Sequence, residues 1–239
     1  MENQNYYAQF GEDKILNELF NKKNGTCIEV GGFDGVTGSN TYFFEKLGWH
    51  CLIIEPMPDF CKKIREVRNC EVVEIAASDK VDEVEFYVAA GVETLSTLQK
   101  DDAHFARIKS LSDKEIKKII VKTARLDDIL LERGITDIDF LTIDVEGHEM
   151  AVLSGMAFGA ISPRIVIIED NSFGVDKKIK QFMEAVSYTR FKRTGCNDWY
   201  AKKDDEFVTL SQVLVTEFII RSTVIWRKFK SLIKFIIRR

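Results

Sequence analysis

Short apolar runs punctuate this chain, and most of them end on an acid or a small polar residue. Thr26 to Val30, Cys51 to Glu55, Cys70 to Ala76, Ile138 to Asp144 and Arg164 to Glu169 have the near-continuous hydrophobicity of strands covered on both faces. Between them the apolar residues move to helical spacing. Ile15, Leu16, Leu19 and Phe20 do so within Lys14 to Phe20, followed by Tyr42 to Leu47 and a helix start at Pro56-Met57-Pro58-Asp59. Leu126 to Leu131, a stretch carrying Val152 and Leu153, and Val175 to Val186 continue the series. Strand and helix alternating in this order predict an α/β, doubly wound sheet, mostly parallel, closed by antiparallel strands near Phe191 and Trp199. Val84 to Val88 reads as a further strand. Residues 91 to 122, rich in Thr and Ser and then charged, interrupt the alternation; the pattern predicts an excursion over the site, helical in its second half, of the kind that acts as a lid.

The first strand runs from Glu29-Val30 into Gly31-Gly32-Phe33-Asp34-Gly35, a turn that lets backbone approach a ligand closely. About twenty residues on, the second strand closes on Glu55, placed to accept both hydroxyls of a ribose. Ser39-Asn40-Thr41 caps the next helix, and a helix start beside a glycine turn is a natural seat for a carboxylate, which brings Asn40 into the binding set. Asp144, Glu146 and His148 lie where the fourth core strand gives way to a helix, so their side chains can converge.

The net charge of -4 and pI near 5.6 give no footprint for nucleic acid. The charge is uneven: residues 207 to 239 carry +6 and leave -10 for the rest. In that tail Phe218, Ile225, Phe229, Leu232 and Ile236 share one helical stripe, with Arg227, Lys230, Lys234 and Arg238 opposite and Ile220 among them. We therefore divide the chain into a domain over 1–206 and a basic amphipathic C-terminal helix over 207–239. Its expected partner is either an anionic membrane surface or a second subunit of a homo-oligomer. Five cysteines without a CxxC pair, a polar N-terminus and no run of eighteen apolar residues lead us to expect reduced thiols and a cytoplasmic protein, peripheral at the inner membrane face if the tail engages lipid.

Gln9-Phe10-Gly11-Glu12-Asp13, Glu29-Val30-Gly31 with Asp34-Gly35, Ser39-Asn40-Thr41-Tyr42, Gly48-Trp49 with Ile54-Glu55-Pro56, and Asp139-Phe140-Leu141 with Ile143-Asp144-Val145-Glu146-Gly147-His148-Glu149 together resemble the FkbM family of methyltransferases, over roughly residues 6 to 170. The resemblance implies a class I, Rossmann-like methyltransferase fold, S-adenosylmethionine as cofactor and O-methylation of hydroxyls, often on a sugar or glycan. By position it implies that Glu29, Gly31 and Gly35 line the methionine and ribose side and that Glu55 holds the ribose diol. It sets Ser78 and Asp79 by the adenine, and turns Asp144 and Glu146 toward the transferred methyl. Thr142 stands where the family often has a lysine.

The residues themselves are consistent with this chemistry, since transfer from a cationic sulfonium needs an in-line, water-poor approach and a base for the acceptor hydroxyl. Asp144 or His148 is expected to take the proton, with Glu146 orienting the acceptor. No metal is expected, because the nearby acids Asp144, Glu146, Glu169 and Asp170 lack a tight His/carboxylate spacing. Two other functions compete. A nicotinamide-dependent oxidoreductase shares the acid after the second strand but needs the GxGxxG spacing absent here, and Glu29 and Asp34 would repel a diphosphate. A non-catalytic, tethered binding protein of the same fold would have no need of carboxylates at both strand ends.

Overall fold

The computed structural model describes residues 5–98 and 102–237. Its elements are α1 (Glu12–Phe20), β1 (Thr26–Val30), α2 (Tyr42–Lys46), β2 (His50–Ile54), α3 (Pro58–Val67), β3 (Glu71–Val73), β4 (Ala76–Ser78), β5 (Asp82–Ala89), a 3-10 turn (Glu93–Leu95), α4 (Asp102–Leu111), β6 (Ile116–Arg125), α5 (Leu126–Leu131), β7 (Phe140–Ile143), α6 (Glu149–Ser154), β8 (Ile165–Glu169), α7 (Lys178–Ala185), β9 (Tyr188–Thr194), β10 (Asn197–Lys202) and α8 (Leu210–Ile237). Seven strands form the main sheet in the order β3-β2-β1-β7-β8-β10-β9. The first five are parallel, and β10 runs antiparallel to both β8 and β9. The chain starts at β1 and winds outward in both directions, so the strand order reverses between β1 and β7; ligands bind at such a switch point.

Alternation along the strands explains their continuous hydrophobicity. Ile28 and Val30 enter a core with Leu52, Leu141 and Ile168, while Cys27 faces the other side, into a core with Leu16, Phe44, Trp49, Phe140 and Trp199. The five cysteines are free thiols. Gln9 to Asp13 is held to the sheet by buried acids: Asp13 accepts the N–H groups of Tyr7, Ala8 and Lys14, and Glu12 accepts from Phe10 N, Thr194 Oγ1 and Asn197 Nδ2.

Two expectations are corrected. Cys70 to Ala76 is not one strand: β3 makes three pairs at the sheet edge, Ile75 turns the chain, and β4 joins a second sheet of order β4-β6-β5. The second half of the excursion is also not helical. The helix lies in its middle, as α4, and residues 116 onward form β6, antiparallel to β5. There Ile119 and Val121 alternate inward onto Met57, Phe60 and Phe86 while Ile120 is exposed, which is strand rather than helix periodicity. Residues 99–101 of the excursion lie outside the described residues.

The glycine turn is fixed by a close approach. Gly31 sits at φ 92°, and a Cβ there would lie 1.8 Å from the carbonyl oxygen of Asp144, so the tips of β1 and β7 abut through bare backbone. Gly31→Ala is expected to cost well over ~2 kcal/mol, the left-handed backbone and the clash adding together. Urea unfolding of the two proteins measures it, and a loss under ~0.5 kcal/mol would contradict this packing.

Candidate functional site

The carboxyl ends of β1, β2, β7 and β8 open onto a cavity of about 730 Å³. At its floor Gly31 N donates to Ile54 O at 2.9 Å, and the Glu55 carboxylate takes three further N–H bonds, from Gly32 and Phe33 at 3.1 Å and from Met57 at 2.9 Å. The glycine turn is thus bound to the tip of β2, and a carboxylate's four lone pairs leave room for a ligand hydroxyl. Burial pushes the Glu55 carboxyl up to about 7, against the three N–H bonds that favour its ionised form.

Glu29 is committed to the loop ahead of α2, accepting from Ser39 Oγ at 2.8 Å, Asn40 N at 2.9 Å and Thr41 Oγ1 at 2.5 Å. A side chain that sequence reasoning missed holds the same loop from behind. Arg68, buried, donates to Gly35 O, Ser39 Oγ, Thr41 Oγ1 and Glu45 Oε2. Asn40 lines the cavity, and its Oδ1 is buried without a hydrogen-bond partner among the described residues.

Opposite, the turn from β7 to α6 bends at Glu146 (φ 49°) and Gly147 (φ 101°). Asp144, open to the cavity, Glu146 and Glu169 bring carboxylate oxygens within 4.8 Å of one another. Three carboxylates so close cannot all ionise without a shared proton or cation. Burial first and the charge of Asp144 next push Glu169 up to about 10 and Glu146 up to about 8; burial also raises Asp144. Arg107 Nη1, 3.9 Å from Glu146 Oε2, offsets part of this. Glu169 further accepts from Asn171 Nδ2 at 2.7 Å. It was noted from sequence only as a nearby acid, yet the signal was there: Ile143 pairs with Ile168, so the next residues, Asp144 and Glu169, stand side by side.

The residues singled out from sequence fall into two groups. Glu29, Gly31, Asn40, Glu55, Asp144, Glu146 and His148 line the cavity. Gly35 lies behind the loop against Ile64 and Arg68, and beside β4 the wall is Ala76 and Ala77 rather than Ser78 or Asp79. Ser78 Oγ instead meets His148 Nε2 at 3.0 Å and Asp79 Oδ1 at 3.2 Å. His148 is therefore turned to this pair, apart from the three acids, and burial lowers its pKa.

The remaining wall comes from the excursion: Glu93 to Ser96, Leu98 and Arg107, with Thr97 Oγ1 donating to Glu146 O at 2.8 Å. Phe33, Met57, Phe60 and Phe86 make one part apolar. Glu29, Glu55, Glu93, Asp144, Glu146 and Glu169 make the rest acidic, and among the described residues Arg107 is the one Lys or Arg in the lining. Such a lining suits a cationic or hydroxyl-rich ligand and repels an anion.

The profile of the methyltransferase FkbM domain matches residues 29–190. No curated protein matches the chain. Similar solved structures include a TehB-like SAM-dependent methyltransferase from Corynebacterium glutamicum, 10% identical over 82% of this chain and 89% of that one, TM-score 0.43. A ribosomal protein L11 methylase from Lactobacillus delbrueckii is 12% identical over 80% and 75%, TM-score 0.40. An O-methyltransferase from Bacillus cereus is 14% identical over 84% of each chain, TM-score 0.39.

The raised acids fix the sign of a pH dependence. Glu149 (about 6), Glu55 (about 7) and Glu146 (about 8) hold protons in the folded chain that the unfolded chain has released above its ordinary value of 4.5. Each therefore costs stability as pH rises from 4.5 to its folded value, Glu55 alone by about 3 kcal/mol. The thermal midpoint of the ligand-free protein is expected to fall from pH 5 to pH 8.5, and Glu146→Gln to flatten the upper part of that fall. Calorimetry across this range checks both, and a midpoint that rises throughout would refute the burial of these acids.

Proposed function

The chain belongs to the FkbM methyltransferase family, whose domain covers more than half of it, and from that premise we propose that it methylates a hydroxyl of a sugar or glycan, with Asp144 as the proton acceptor. It is an S-adenosylmethionine-dependent methyltransferase on the class I sheet, which removes the nicotinamide alternative. When bound, S-adenosylmethionine supplies a methyl group carried on a positively charged sulfur.

The donor set of the cavity fits that cofactor. In this reading Glu55, with acceptor capacity left over from its three backbone bonds, holds the ribose hydroxyls. Gly31, the loop fastened by Glu29, and Asn40 hold the methionine end, the unpartnered Asn40 Oδ1 being free to accept from an ammonium. The adenine lies against Ala76, Ala77 and Met57. Ser78 and Asp79 then support this wall from behind, and Gly35 backs the loop.

The observation that carries the acceptor half is the meeting of Asp144, Glu146 and Glu169 within 4.8 Å on the cavity wall. In this reading the proton the cluster shares rests on Glu169, and Asp144, the member most open to the cavity, is the acceptor, its basicity raised by the surrounding protein. A hydroxyl held against Asp144 passes its proton to that carboxylate as its oxygen becomes nucleophilic. Glu146, set by the left-handed turn at its own backbone, orients it. A polyol supports this role best, because adjacent carboxylates accept adjacent hydroxyls, whereas a phosphorylated acceptor would meet one arginine among six acids. His148, engaged with Ser78, positions the adenine-side wall and does not take the proton.

Transfer of radiolabelled methyl from S-adenosylmethionine to a panel of saccharides tests the proposal. Asp144→Asn is expected to lower kcat by ~100-fold or more, and His148→Ala by under ~10-fold. Equal losses in the two variants, or full turnover in Asp144→Asn, would reverse the assignment. Glu55→Gln is expected to weaken S-adenosylmethionine binding at least ~10-fold in calorimetry, and NAD to give no thermal shift in the unmodified protein; an unchanged Kd would remove Glu55 from the ribose.

A further inference from the structure

Helix α8 is not a loose tail. Its inner face is fastened to the domain: Thr216 Oγ1 donates to Phe191 O at 3.0 Å, and Ile220 is buried over Gly174, where a Cβ would come within 2.3 Å of it. Glu217 pairs with Arg190 at 2.7 Å and Lys180 at 3.1 Å. This corrects the expectation that Ile220 interrupts a polar face, since that face is the one docked on β9. The helix is thereby held in one rotation about its axis.

The opposite face has no partner among the described residues. Leu214, Phe218, Ile225 and Phe229 follow one another along it, and Val215, Ile219 and Trp226 run beside them, all 52–71% exposed. So many apolar side chains in one strip mark a contact surface rather than scattered exposure. Beyond Glu217 the helix carries charge of one sign. Glu217 is the last acid in the sequence, after which come seven Lys and Arg residues, and Glu217 itself is turned inward and neutralised. At the edge of the strip Lys230 Nζ lies 4.0 Å from the Trp226 ring, and on the inner face, one heptad after Ile220, the Arg227 guanidinium lies 3.9 Å from the Phe173 ring.

We propose that α8 lies flat on an anionic phospholipid bilayer, its apolar strip among the acyl chains and its cations among the phosphates. No described helix is long and apolar enough to cross a membrane, so the orientation is along the surface. A second copy of α8 is disfavoured as the occupant, because it would set cations against cations without a single acid between them. Phe173 joins this surface to the catalytic chamber: it lines the groove beneath α8 and also the cavity containing Asp144. Lipid docking does not rest on the methyl-transfer reading, and its assay is independent of turnover.

The full-length protein is incubated with sucrose-loaded vesicles of phosphatidylcholine alone or with 30% phosphatidylglycerol (about a third anionic lipid, on the order of natural acidic membranes) and sedimented. Binding to the anionic vesicles at least ~10-fold above the neutral ones is expected, falling steeply with added salt. Phe218→Glu combined with Ile225→Glu, both at exposed positions, is expected to abolish it while the thermal midpoint and S-adenosylmethionine binding stay unchanged. Failure to bind anionic vesicles overturns the proposal. So does binding that the double variant retains, or a dimer in analytical ultracentrifugation that the double variant dissolves while vesicles capture neither form.

Discussion

One carboxylate ties the catalytic end of this protein together. By accepting the N–H groups of Gly32, Phe33 and Met57, Glu55 fastens the turn after β1 to the tip of β2 and to the start of α3. Backbone donors at such a turn have no strand partner and would each cost free energy if left buried and unmet. Gly31 completes the junction on the other side, where its missing side chain admits the carbonyl of Asp144. Three strand tips are therefore positioned by main-chain contacts, and the side chains around them remain available for ligands.

The same crowding of acids that shapes the chamber works against folding. Glu55, Glu146, Glu149 and Glu169 all sit where burial disfavours their charge. Among the described residues no lysine stands in the lining to neutralise them, and Arg107 reaches only the edge of the group. A cationic ligand at such a site favours the ionised acids, so its binding is linked to the release of their protons.

Much of this was legible in the chain because buried parallel strands announce themselves. The order of strands, the acids closing them and the glycine turn all follow from runs such as Cys51 to Glu55 and Ile138 to Asp144. Three features were not legible, for separate reasons. Arg68 looks like any surface arginine at a helix end, and its four contacts come from residues as far as 33 positions away in sequence. Residues 116 to 125 mix lysine with isoleucine in pairs, without the clean period of either a helix or a strand, and pairing with β5 decides the matter. Ser78 and His148 each sit beside a strand end, but whether they face the chamber or each other depends on the separation of the two sheets, which no local pattern encodes.

The small sheet has a consequence of its own. The stretch of chamber wall from Phe86 through Leu98 to Arg107 belongs to one continuous segment between β4 and α5. A change within that segment reshapes one side of the chamber and leaves the strand ends that form the opposite side in place.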